Sequence, residues 1–243
     1  MTHNGYGNFC PTAKACEVLE PRWTMLILAE MSCGSTRFND IRRGVPGISP
    51  TLLAKRLREL KGFGLIERIE DRATGSVDYV QTEAGKALNP IIWQLGQWAW
   101  THVEAEVSLQ HLDAQVLIWN IRRKIALDQV AKKRTVVRFH FPDAKKRDRL
   151  FWLIWRPGSE IDVCLDDPGF DVDLFIEAEL KAFTSYWMNW TSLAQEMDRD
   201  RISLIGSPHL IRTIDTWLVR SSFGDQADIA TPASLDGAST NAA

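Results

Sequence analysis

The apolar positions of this chain follow two periods. Over roughly the first half they recur every three or four residues, as on helices with one buried face. From about residue 135 they alternate, as in half-buried strands. In the first half, Leu53, Leu57 and Leu60 form one stripe. Ser49 can cap the helix that carries them, and Pro50 suits its first position, where no N–H is needed. Gly62 and Gly64 supply the positive φ that ends it. Leu65 to Ile69 reads as a strand, Asp71 to Ser76 as a turn with Gly75, and Val77 to Gln81 as the returning strand. Upstream, residues 12–31 read as two short helices broken near Pro21, with Trp23, Leu26 and Ile27 sharing a face of the second, which Gly34 ends. Phe38 and Ile41 mark a third short helix before the turn Val45-Pro46-Gly47.

Further along, Leu88, Ile91, Ile92, Leu95, Trp98, Ala99 and His102 predict a long helix from Asn89 to about His111. Ser108 to Asp113 reads as a joint, and Ala114 to Val130 as another helix. Four strands are predicted over Thr135–Phe141, Arg149–Arg156, Glu160–Leu165 and Val172–Ala178, with a hairpin turn at Pro157-Gly158. Helices over Glu179–Met188 and Ser192–Arg199, a fifth strand over Arg201–Ile205 and a helix over Pro208–Val219 complete the pattern. The fold class expected is α+β. A winged helix-turn-helix occupies residues 1–107, an α+β domain with a five-stranded sheet occupies 113–220, and a disordered tail rich in Ala, Ser, Thr, Asp and Gly occupies 221–243.

The helix, helix, turn, helix, hairpin order of the front half suits DNA. A helix fits the major groove, Lys and Arg neutralise phosphates and read base edges, and a hairpin reaches the backbone alongside. Thr51, Lys55 and Arg58 project away from the leucine stripe, flanked by Leu52 and Arg56. An ordinary amphipathic helix with a solvated charged face is the alternative. Charge permits DNA binding without demanding it: residues 1–100 hold 12 Lys and Arg against 10 Asp and Glu, and the remainder 17 against 21.

Cys10-Pro11, Arg22-Trp23-Thr24, Leu26-Ile27-Leu28, Glu30, Arg37-Phe38, Ile41, Gly47-Ile48-Ser49-Pro50, Arg56 to Leu60, Gly64 to Arg68, Tyr79, Thr82-Glu83 and Gly85 together resemble the HxlR family of bacterial transcription regulators over residues 10 to about 103. The resemblance implies a dimeric, non-enzymatic winged-helix protein that binds double-stranded operator DNA. Its contact residues would be Arg37, Ser49, Thr51, Leu52, Lys55, Arg56, Arg58 and, in the wing, Arg72. The family usually carries an Arg just before the second wing strand, where Ser76 stands here. The final helix would pair with its symmetry mate through Ile92, Leu95 and Trp98, because palindromic sites need two reading helices. Packing on the second domain is the alternative. Cys10 stands where some members carry a thiol that senses oxidants or electrophiles, with Lys14 as a cationic neighbour.

The back half resembles a sterol carrier protein two-like domain in Trp155-Arg156-Pro157-Gly158, in Cys164 to Leu174 with its Asp167-Pro168-Gly169-Phe170 core, and in Gly206 and Pro208. Such domains enclose an apolar tunnel between a five-stranded sheet and helices, which implies a small hydrophobic effector. Trp119, Trp152, Trp155, Phe175, Trp187 and Trp217 are the candidate lining, and plain core packing is the alternative for each. Trp152 and Trp155 point to opposite faces of an alternating strand.

Enzyme readings find little support. There is no Gly-x-Ser-x-Gly, phosphate-binding loop or dinucleotide fingerprint; Asp166-Asp167 is turn chemistry, and His140 stands alone in a strand. Cys10, Cys16, Cys33 and Cys164 lack zinc spacing, so neither metal nor cofactor is expected. The start has no basic, apolar leader and no apolar run reaches 18 residues, so a cytoplasmic protein with reduced thiols and no membrane partner is expected. The expected function is transcriptional regulation with an effector-sensing back domain. A carrier or enzyme that uses its front domain to dimerise, and a thiol sensor acting through Cys10, are the alternatives.

Overall fold

The computed structural model describes residues 5–127, 133–156 and 158–224. Its first part contains α1 (Pro11–Leu19), α2 (Thr24–Ser32), α3 (Phe38–Gly44), α4 (Pro50–Gly62), the hairpin β1 (Ile66–Glu70) and β2 (Val77–Gln81), α5 (Glu83–Lys86) and α6 (Asn89–His102). The Ser49 hydroxyl accepts the Leu52 N–H at 3.2 Å and so caps α4. Gly64, at φ +70°, turns the chain out of that helix while the Leu65 N–H returns to the Leu60 carbonyl. Leu53, Leu57 and Leu60 enter a core with Ile27, Leu28, Met31, Ile41 and Ile66. At about 2 kcal/mol for each large aliphatic side chain removed from water, those leucines are what seats α4. Leu26, expected on the inward face of α2, is exposed; Ile27 and Leu28 are the buried pair. The result is a winged helix-like helix-turn-helix domain.

After α7 (Ala105–Ser108) and α8 (Ala114–Arg123) comes a sheet of five strands, β3 (Thr135–His140), β4 (Leu150–Trp155), β5 (Asp162–Cys164), β6 (Leu174–Ala178) and β7 (Ile202–Gly206), in the order β5-β4-β3-β6-β7. Only the β3–β6 pairing is parallel. Phe139 and Leu153 are buried on one face, with Trp155, Leu174 and Ile176. They pack with α8, α9 (Leu180–Trp187), α11 (Pro208–Arg212) and α12 (Ile214–Trp217), while α10 (Leu193–Asp198) caps the edge near β7. Val136, Trp152 and Ile154 form a smaller cluster on the other face.

Several boundaries differ from the sequence expectation. The long helix stops at His102, where β-branched Val103 turns extended, and Glu106 of α7 then pairs with Lys181 of α9 at 2.6 Å. The helix expected over Pro208–Val219 breaks at Thr213, whose hydroxyl donates to the His209 carbonyl and competes with the helix backbone. α8 ends at Arg123, and residues 128–130 of the longer helix lie outside the described residues, as do Pro157 and 225–243. The start of the expected tail is ordered: Ser221 is buried, its N–H donates to the Trp187 carbonyl, and Phe223 stacks on Trp93 with ring centroids 4.3 Å apart.

Candidate nucleic-acid interface

Burying one leucine at each turn of α4 fixes what the opposite face presents. Thr51, Lys55 and Arg58 are exposed and Leu52 is half-buried. Lys55 has only a loose 3.9 Å approach to Glu59. Arg56 is different. Its Nε donates to the Arg22 carbonyl at 3.0 Å and its Nη1 to Glu59 at 2.5 Å, tying α4 to the start of α2. The expectation that Arg56 is a free outward cation is therefore corrected: its guanidinium replaces water for a backbone oxygen that would otherwise lack a partner. Arg37 is also engaged, with Nε 2.9 Å from Asp78, which also accepts the Thr36 hydroxyl and so holds β2 against the start of α3. At the hairpin tip, Asp71 accepts the Ala73 N–H and the Thr74 hydroxyl, and these bonds hold its carboxyl below the ordinary carboxylate range. Arg72 beside it is exposed, with no ion partner among the described residues.

On α6, Ile91, Leu95 and Trp98 lie at i, i+4, i+7 and are each about half exposed (49%, 50% and 59%). Ile92, expected on that stripe, instead packs into the domain's own core, one 100° step round the helix. Cys10 precedes α1, and the backbone N–H groups of Thr12 and Ala13 pull its thiol below the usual range. Lys14 does not serve as its cation, because its ammonium pairs with Glu17 at 2.9 Å.

The six aromatic side chains expected around one tunnel are dispersed. Trp155 and Trp217 meet inside the core with their rings tilted by 44° and 5.8 Å between centroids, and the Trp217 N–H donates to the Leu210 carbonyl. Phe139, Phe183 and Tyr186 fill the space beside them with edge-to-face contacts. Trp155 and Trp217 are thus core residues, a correction of the tunnel expectation. Trp152 lies on the opposite face. Phe175, beneath the Arg138 guanidinium, faces a shallow hollow of about 150 Å³. Trp187 packs partly buried at the core's rim.

Trp119 reaches the front domain. Its N–H donates to Glu30 of α2 at 2.9 Å, and the same carboxylate accepts the Ser35 hydroxyl at 2.6 Å and both terminal nitrogens of Arg123. Glu30 is only 5% exposed, so this four-residue knot satisfies a buried charge across the joint. Gly44 is required beside it, since a Cβ there would collide with the Glu30 carboxylate. The sequence offered Glu30 only as a position of the family pattern. Next to the knot, a cleft of about 300 Å³ opens between α3, α8 and β5. A more polar groove of about 590 Å³ runs from it past Arg42 and Arg147 to Ser49 at the start of α4.

Residues 18–107 match the family described as HxlR-like helix-turn-helix. Among similar proteins, the HTH-type transcriptional regulator YvaP of Bacillus subtilis (strain 168) is 36% identical over 92 residues, covering 37% of this chain and 85% of that protein. YybR of the same organism is 33% identical over 90 residues, covering 37% and 72%. The solved structure of the reduced form of the transcriptional regulator YodB from B. subtilis aligns at 33% identity and a TM-score of 0.36, over 40% of this chain and 97% of that one. No helix among the described residues is long and apolar enough to cross a membrane. Through its front domain, with the leucine-seated α4 and the hairpin beside it, the chain belongs to the HxlR-like helix-turn-helix family of transcriptional regulators.

Proposed function

We propose that the protein binds operator DNA as a homodimer, reading it with α4 and bracing it with the β1–β2 hairpin, and that its back domain, of sterol carrier-like type over residues 113–220, senses a small molecule. The observation that carries the DNA reading is the division of α4: three leucines inward, with Thr51, Lys55 and Arg58 outward and free of close ion pairs. Arg72 adds a cation at the hairpin tip, and Ser49 places a hydroxyl at the entry of the reading helix. Arg37 and Arg56 act by positioning the hairpin and α4 respectively. The exposed stripe Ile91, Leu95 and Trp98 supports pairing of α6 with its mate, which would bring two copies of α4 to a palindromic site. The five-stranded sheet with helices over one face supports the sterol carrier-like reading of the back domain.

The test selects genomic fragments with the protein and follows the recovered site by fluorescence anisotropy. Lys55→Ala and Arg58→Ala should each weaken binding and lower the slope of log affinity against log salt by about one unit. Recovery of no specific fragment would favour a carrier or enzyme with a dimerising front domain. A second reading, thiol sensing, rests on Cys10, whose thiol sits at the start of α1 facing two backbone donors.

A further inference from the structure

The cleft between the two bodies has a chemistry of its own. Its inner wall is the buried Trp119 indole, 4% exposed, whose N–H is already given to Glu30, and its accessible apolar lining is half-buried Val163 and exposed Leu165. The Arg122 guanidinium lies 4.2 Å from that ring's centroid, Arg123 5.1 Å and Arg43 of α3 5.5 Å, so three cations from both sides of the joint surround one indole, of which Arg123 is committed to Glu30. Arg122 has no carboxylate partner among the described residues, its polar contact being a 3.4 Å approach to the Ile161 carbonyl. Arg43, on the helix-turn-helix side, has only an exposed 3.4 Å contact with Asp40. Asp162 at the rim is an exposed carboxylate with a contact of the same length to Arg156, 3.4 Å, and Gln115 is held by buried Asp148 at 2.6 Å. The cleft therefore presents an apolar wall of Val163 and Leu165 beside two guanidiniums that lack a close carboxylate partner. At about 300 Å³ it is about twice the size of the dry cavity that admits benzene.

From these features we infer that the cleft binds a one- or two-ring aromatic carboxylate, its ring against Val163 and Leu165 and its carboxylate between Arg43 and Arg122. Guanidinium and carboxylate match in shape and charge, and a bidentate pair fixes orientation as well as affinity. Such a ligand joins α3 to α8 and β5, so it favours one placement of the back body against the helix-turn-helix. That differential affinity is what a change in DNA binding requires. The inference rests on the effector-sensing reading given above and moves its site from the sheet interior to the joint.

The experiment is titration calorimetry on the full chain with 2-naphthoate, and with neutral 2-naphthamide as the charge control. Naphthoate should bind one per chain and the amide at least tenfold more weakly. Arg43→Gln, which alters an exposed side chain and leaves the fold alone, should weaken naphthoate by about ten- to a hundredfold, as should Arg122→Gln. Equal binding of acid and amide, no binding of either, or naphthoate affinity unchanged in Arg43→Gln would overturn the assignment. Operator affinity is measured separately with and without naphthoate. A shift of about 5- to 150-fold supports the coupling. Calorimetric binding that depends on Arg43, with unchanged operator affinity, keeps the site and removes the sensing role.

Discussion

Cys10 and Cys164 carry the same thiol in opposite surroundings. Donors from Thr12 and Ala13 lower the first, and burial raises the second, with Asp162 adding to the effect. A lowered folded-state value favours the thiolate, so the Cys10 anion persists to lower pH and is lost only as pH falls through that value. Alkylation of the native protein followed by peptide mass spectrometry should therefore give a Cys10 rate profile with its midpoint below that of free cysteine. Cys164 should react more slowly throughout, and Cys10→Ser should remove the fast phase. Equal rates at both sites would sink the thiol-sensing reading. Arg56 teaches a related lesson. Lys55 and Arg56 are neighbours in the sequence, yet only Lys55 is free to meet DNA. Arg56→Ala should lower thermal stability as well as DNA affinity, whereas Lys55→Ala should lower affinity alone; a calorimetric melt of each variant separates the two.

At the scale of elements, α6 is the telling case. No residue of this 14-residue helix is buried, although it carries three tryptophans. Ile92 faces the front core and Trp93, still 42% exposed, stacks on Phe223, while Ile91, Leu95 and Trp98 face outward. Leu95→Asp would place a charge in the proposed seam, at a cost of several kcal/mol if it is unpaired there. Light scattering should then report a monomer and operator binding should fall; a variant that stays dimeric would assign the seam to another surface. The periodicity of α6 was legible in the sequence. The choice of Ile91 over Ile92 for the outward stripe was not, since both fit the pattern and only the placement of α2 against the helix decides between them.

For the whole molecule, a buried carboxylate sits at the centre of the joint, with the Lys181–Glu106 pair and the Phe223–Trp93 stack beside it. Glu30→Ala would leave Arg123 without its counter-charge and Trp119 without its acceptor, a loss of about 3–5 kcal/mol of the kind measured when one partner of a buried pair is removed. Chemical denaturation should show that loss, with the two bodies melting in separate steps, while Arg123→Met with Glu30→Leu should recover part of it. A single unshifted transition in Glu30→Ala would show that other contacts carry the joint. Gly44→Ala should act the same way through steric conflict with Glu30, although it removes no charge.

Local chemistry in the sequence was enough for the helix caps, the leucine stripe of α4, the hairpin after Gly64 and the alternation of the sheet. Each depends on residues a few positions apart, within reach of one turn or one strand. Both Trp152 and Trp155 were expected to line one tunnel, yet alternation along β4 sets them on opposite faces of the sheet, where no single lining can hold both. Tertiary packing alone decided the rest. It joined Glu30 to Trp119 and Arg123 across about 90 positions of chain, tied Arg56 to the Arg22 carbonyl, and closed the tryptophans into a core with the cleft beside it. Such choices depend on which surfaces meet, and burial supplies its energy without specifying partners. The pairing of a buried charge, by contrast, admits few arrangements, and here it fixes where the two halves of the chain come together.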